Sequence, residues 1–182
     1  MNYENIDDIY SANHTFRDKL AATLAEISPD EATALPEGEK WSIQQIVEHL
    51  SMVDFGISRI CMKLLDASKA DGKTSDGSFA LTVNFDERAS EIAGLKVEAP
   101  ERVHPTGDVD IAEALERMDA NREAFDSMKN DFEHFDFSTH KFPHPFFGDL
   151  TAGEWLVMAG LHQKRHTRQI EKLLARVKEP AL

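Results

Sequence analysis

The chain has 182 residues, 41% of them hydrophobic and 29% charged, an ordinary composition for one domain with its own core. Its 20 basic and 33 acidic side chains leave a formal charge of −13. Such a surface repels phosphate backbones, which argues against a nucleic-acid partner. No run approaches the ~18 apolar residues of a membrane span, and the acidic start MNYENIDDIY reads as neither signal nor transit peptide.

One cysteine, Cys61, cannot form an internal disulfide and suits a reducing compartment. It lies in the apolar series Ile57, Ile60, Cys61, Leu64, so it reads as a buried, inert thiol rather than a nucleophile. The expectation is a cytoplasmic protein forming a single domain over residues 1–182, with no nucleic-acid or membrane partner. The acidic stretch Asp108–Asp136 and the basic stretch His162–Lys178 read as solvated helix faces.

The first helix is expected from about Ile6 to Ile27. Ile6, Ile9, Tyr10, Asn13, Phe16, Leu20, Leu24 and Ile27 recur at three- and four-residue steps until Ser28-Pro29. Asn13 is the polar interruption of that stripe, and His14 lies off it. The second helix opens at Trp41-Ser42-Ile43-Gln44-Gln45-Ile46, where Ser42 and Gln45 form a capping box and Trp41 staples onto Ile46. Ile46, Leu50, Val53, Ile57, Ile60 and Leu64 carry it to about Leu65.

The stretch Asp66–Val109 holds turn residues, an apolar Phe79–Phe85 segment and a possible short helix over Asp86–Leu95. A third helix starts at Asp110, with Glu113 completing a capping-box pattern, and continues to Met128. The Phe- and His-rich Asn130–Asp149 follows as a loop; loops this long are often functional. The fourth helix repeats the device of the second. Thr151 and Glu154 make the capping box, Leu150 and Trp155 the staple, and the helix runs to about Val177 before Pro180. No segment alternates strongly enough to predict a sheet. The fold class expected is all-α, a four-helix bundle with long crossover loops.

His162 and His166 sit four residues apart on the apolar stripe of the fourth helix, a spacing that aims two imidazoles at one point. Gln163, Lys164 and Arg165 lie between, so the glutamate of a zinc-protease H-E-x-x-H helix is missing. Buried imidazoles need partners. His49, beside the stripe of the second helix, supplies a third candidate. Three imidazoles with an open fourth position suit zinc, nickel, iron or copper. The alternative is that His49 packs at the helix edge while His162 and His166 bond each other, water or carboxylates. His144 either packs its loop or lies at the mouth of the site; His104, His134 and His140 read as exposed.

Two motifs carry a resemblance. Trp41-Ser42-Ile43-Gln44-Gln45-Ile46-Val47-Glu48-His49-Leu50 resembles the W-[ST]-x-x-x-x-[LIV]-x-H-[LIV] stretch of the DinB/YfiT-like family. His144-Pro145-Phe146-Phe147-Gly148-Asp149-Leu150-Thr151, followed by His162 and His166, resembles that family's H-P-x-x-G-x-[LM]-[ST] loop and ligand helix. The resemblance implies a DinB-like four-helix bundle, often dimeric, with His49, His162 and His166 holding one divalent metal ion, zinc or nickel first and iron or copper next. Water is expected at the open position. It further implies a metal-dependent hydrolase or a low-molecular-weight thiol S-transferase acting on a small-molecule substrate. A non-catalytic metal-binding module and a metal-free helical dimerisation module remain the alternatives. Asn13 and Gln169 are the expected partners for the outer nitrogens of the ligands, and Phe142, Phe146 and Phe147 form either an apolar rim over the site or a core plug.

Overall fold

Four long helices arise where capping and periodicity coincide, and a computed structural model describes them over residues 3–92 and 98–178. The elements in order are α1 (Ile6–Ala25), α2 (Pro29–Thr33), α3 (Ile43–Asp71), α4 (Val83–Ile92), a 3-10 turn (Glu101–Val103), α5 (Ile111–Ser127), α6 (Lys129–His134), β1 (Lys141–His144), β2 (Gly148–Thr151) and α7 (Ala152–Lys178). The bundle consists of α1, α3, α5 and α7. The Ser42–Gln45 box at the head of α3 forms in both directions. At α7, Thr151 Oγ1 accepts from Glu154 N while Glu154 Oε2 accepts from Thr151 N at 2.9 Å. At α5 only half the box forms: Asp110 accepts from Glu113 N, but the Glu113 side chain turns to Arg117.

Several expected boundaries shift. Ser28-Pro29 does end α1, at Ala25, but Ser28 then caps α2, a short helix that a Pro at the first position favours. Past Leu65, α3 runs on to Asp71, where Gly72 at φ 68° supplies the left-handed cap. The short helix expected over Asp86–Leu95 begins earlier, at Val83; its residues 93–95 lie outside the described residues, as does Pro180. The Asn130–Asp149 loop is largely structured, as α6 and a hairpin. In that hairpin Lys141 pairs with Thr151 and His144 with Gly148. No sheet was expected because each strand has four residues, one of them Pro143, too few for alternation to register.

Long-range hydrogen bonds and ion pairs fix the helix directions. Gln44 meets Gly107, Ser51 meets Asn121 and Lys69 meets Asp131, so α3 and α5 run parallel. Cys61 reaches Ala152 while His49 reaches His162, so α3 and α7 run antiparallel. Parallel neighbours cannot be joined by a tight turn. That is why residues 72–110 form a long crossover returning to the end where α3 began.

The core falls into two apolar clusters. One surrounds Ile9, Ile57, Phe132 and Leu156; the other surrounds Leu20, Ile46, Leu50, Met118 and Ile170. The buried polar side chains of Arg17, Ser51, Asp54, Asn121 and Gln163 lie between them. Among the described residues no helix is long and apolar enough to cross a membrane. At the basic end of α7, Arg176 pairs with Glu39 and Lys178 with Glu31.

Candidate metal centre

His49 stands on the second turn of α3 and is 3% exposed, so the solvent-facing position that would separate it from the other histidines is not realised. His162 and His166 face it from α7, the antiparallel neighbour. His162 Nε2 lies 3.4 Å from His49 Nε2 and 3.2 Å from His166 Nε2. The ligand atoms of all three lie within 4.8 Å of one another. Tetrahedral ligands about 2.1 Å from one ion stand about 3.4 Å apart, so this spacing fits a single cation.

The outer nitrogens set the tautomers. His49 Nδ1 donates to the Val103 carbonyl at 2.7 Å, and His166 Nδ1 donates to Gln169 Oε1 at 2.8 Å. With the protons there, both Nε2 lone pairs converge on His162. His162 Nδ1 has no protein partner among the described residues. Burial pushes all three imidazoles below their usual pKa, His166 to about 3, and like-charge neighbours, Arg165 among them, add to it. They are therefore neutral at physiological pH, the state a metal ligand needs. Lone pairs gathered this closely in a desolvated place repel one another unless a cation or proton lies between them. The residues present could hold a metal ion.

Gln169 thus takes the place expected of it. Asn13 does not: its amide donates to the Leu156 carbonyl at 2.9 Å, on the α1 side of α7. The site's wall is instead the crossover. Trp41 packs at a tilt against His49 at 4.9 Å and edge-on against His104 at 5.9 Å, and Val103 belongs to the 3-10 turn. Glu48, next to His49 on α3, is 2% exposed and binds the crossover down. Its carboxylate accepts from Thr106 N, Thr106 Oγ1 and Gly107 N at 2.8–2.9 Å. Local patterning could not reveal the Val103 and Glu48 contacts, because each joins residues more than fifty positions apart.

The Phe-rich hairpin packs at the opposite end of α7. Phe147 lies 5.1 Å from Phe85 and Phe142 6.3 Å from Trp155, so these two partly buried rings pack against the core while Phe146 stays 39% exposed. His144 packs on Trp155 and Phe147, and its Nδ1 accepts from Phe146 N and Phe147 N. Burial holds His144 at about 4, with the Arg102 charge adding to it. The remaining histidines serve locally. His14 meets Asp126, His140 meets Asp71, His104 meets the Ala99 carbonyl and His134 the Asn130 carbonyl. Cys61 is fully buried and its thiol is pushed up by burial, so it is inert.

The comparisons with known proteins agree with this architecture. The chain is 25% identical to the uncharacterized protein YuaE of Bacillus subtilis (strain 168) over 158 residues, covering 85% of this chain and 90% of that protein. It shares its fold with TT2238, a four-helix bundle protein of known crystal structure, at a TM-score of 0.60 and 21% identity, over 92% of this chain and 98% of that one. The sequence profile of the DinB superfamily matches residues 12–170, and the chain belongs to that superfamily.

Proposed function

We propose that this protein is a metal-dependent enzyme, a hydrolase or a low-molecular-weight thiol S-transferase, holding one divalent ion between His49, His162 and His166. The observation that carries this reading is the convergence of three neutral imidazoles whose outer nitrogens are already committed at His49 and His166. Three histidine nitrogens suit zinc or nickel first, with iron and copper next. Such an ion supplies a Lewis acid that makes water or a thiol a better nucleophile at neutral pH.

The chain's own groups around the centre favour an anionic small molecule such as a thiolate or carboxylate. The Arg165 charge acts on all three histidines. Arg102, beside the carbonyl that holds His49, and Arg165, between the two α7 histidines, are exposed and have no ion-pair partner among the described residues. In a chain of charge −13 this local excess of cations stands out.

A homodimer is part of the same proposal. Phe55 and Met62, one heptad apart on α3, are 58% and 40% exposed and offer an apolar stripe to a second copy.

The test is elemental analysis of protein purified without chelator, followed by thiol-transfer and esterase assays on the loaded protein. One equivalent of metal, lost in His49→Ala, His162→Ala and His166→Ala, together with turnover in either assay, supports the proposal. Metal retained without turnover in any assay leaves a non-catalytic metal-binding module. Absence of metal overturns the reading altogether.

A further inference from the structure

A second polar cluster lies in the layer between the two apolar halves of the core. Arg17 on α1, Asp54 on α3 and Gln163 on α7 are 6%, 1% and 9% exposed. Gln163 Nε2 donates to Asp54 Oδ2 at 2.6 Å, and Arg17 Nη2 donates to Asp119 Oδ1 at 2.8 Å. Those bonds use only part of what these side chains offer. Arg17 Nε and Nη1, Asp54 Oδ1, Gln163 Oε1 and Asn13 Oδ1 are all buried without a partner among the described residues. All four residues line one cavity of about 40 Å³ between α1, α3, α5 and α7. Its outer wall is formed by His14, Arg122 and Asp126, which are 39%, 42% and 42% exposed, so solvent lies just beyond.

We propose that this chamber is a hydration site, holding ordered water that bridges the Arg17 guanidinium to Asp54, Gln163 and Asn13. The chemistry selects the occupant. Buried polar groups left unpaired cost free energy, so an apolar guest fits poorly. Arg17 already supplies a positive charge, which disfavours a metal cation, and three facing oxygens, one of them a carboxylate's, disfavour an anion. What remains is a small neutral molecule that both donates and accepts. At roughly 10–15 Å³ of such space per molecule the cavity takes about three or four waters. Each would accept from Arg17 and donate to an oxygen opposite. Burial pushes the Asp54 carboxyl up to about 7, and the Arg17 charge, acting across the chamber, opposes that shift. Hydration is thus what lets a guanidinium and a carboxylate share the middle of the bundle without touching.

A high-resolution crystal structure of the full chain tests this directly. The expected result is at least two waters within about 3 Å of both an Arg17 nitrogen and one of the facing oxygens. A dry chamber, a guanidinium turned into direct contact with Asp54, or an ion in the waters' place would each overturn the proposal. In solution, NMR cross-relaxation between water and the Gln163 side-chain amide protons should be present in the wild type. It should vanish in the double variant Arg17→Met, Asp54→Leu; cross-relaxation that persists in that folded variant counts against the bridge. Should the double variant not fold, the wild-type crystal structure decides.

Discussion

The protons that His49, His162 and His166 decline to bind have consequences for stability. In the unfolded chain each imidazole titrates near about 6.5, whereas in the folded chain His166 is held at about 3 and the other two are lowered. On acidification the unfolded state therefore takes up protons first. The stability these groups contribute is complete above about pH 6.5 and is lost as pH falls toward the folded values, at up to about 1.4 kcal/mol per pH unit per group. His144, held at about 4, acts in the same sense, while Asp54, raised to about 7, acts in the opposite one. Urea unfolding of chelator-treated protein between about pH 7 and 5 should show stability falling with acid. A flat or rising profile would contradict the neutral assignment. Each ligand's outer nitrogen gives a second expectation. Gln169→Ala should weaken metal affinity by about tenfold or more, while Asn13→Ala should leave it unchanged, as measured by competition with a chromophoric chelator.

At the level of elements, capping and close approach decide what is tolerated. Asn13 Oδ1 would lie 1.9 Å from a Cβ added at Gly160, so α1 rests on α7 through a missing side chain. Gly160→Ala should destabilise by about 1–3 kcal/mol, and Asn13→Ala in the same chain should recover much of it, a coupling that a double-mutant cycle would read. Glu48→Ala releases the crossover from α3 and leaves Thr106 N and Gly107 N without their acceptor; a loss of about 2 kcal/mol is expected, with weaker metal binding because Val103 then no longer fixes His49. The long helices were legible in the sequence because their devices are local: Ser42 with Gln45, Thr151 with Glu154, and apolar residues at helical steps. The paired α7 histidines were legible for the same reason. The end of α3 was not, since Ser68 and Lys69 break the apolar pattern while the backbone continues to Gly72. Nor were the hairpin, the Val103 carbonyl or the Asp54–Gln163 pair, whose partners are brought together only by the tertiary fold.

At the scale of the whole molecule, the apolar stripe of α3 bears on assembly. The proposed homodimer predicts that Phe55→Glu with Met62→Glu shifts the sedimentation velocity from that of a dimer to that of a monomer while leaving the helical circular dichroism intact; a monomeric wild type removes this interface. The route of the chain bears on time as well as shape. His49 is separated from Val103 by 54 positions and from His162 by 113, and Cys61 from Ala152 by 91. Contacts so distant along the chain are slow to close. During synthesis His49 gains its α7 neighbours only after the crossover, α5 and the first half of α7 have left the ribosome. In a Trp41→Phe variant, which leaves Trp155 as the single tryptophan, refolding should accordingly show a colorimetric metal indicator responding no earlier than fluorescence reports the burial of Trp155, which would make the proposed ion capture a clock hand marking the end of folding.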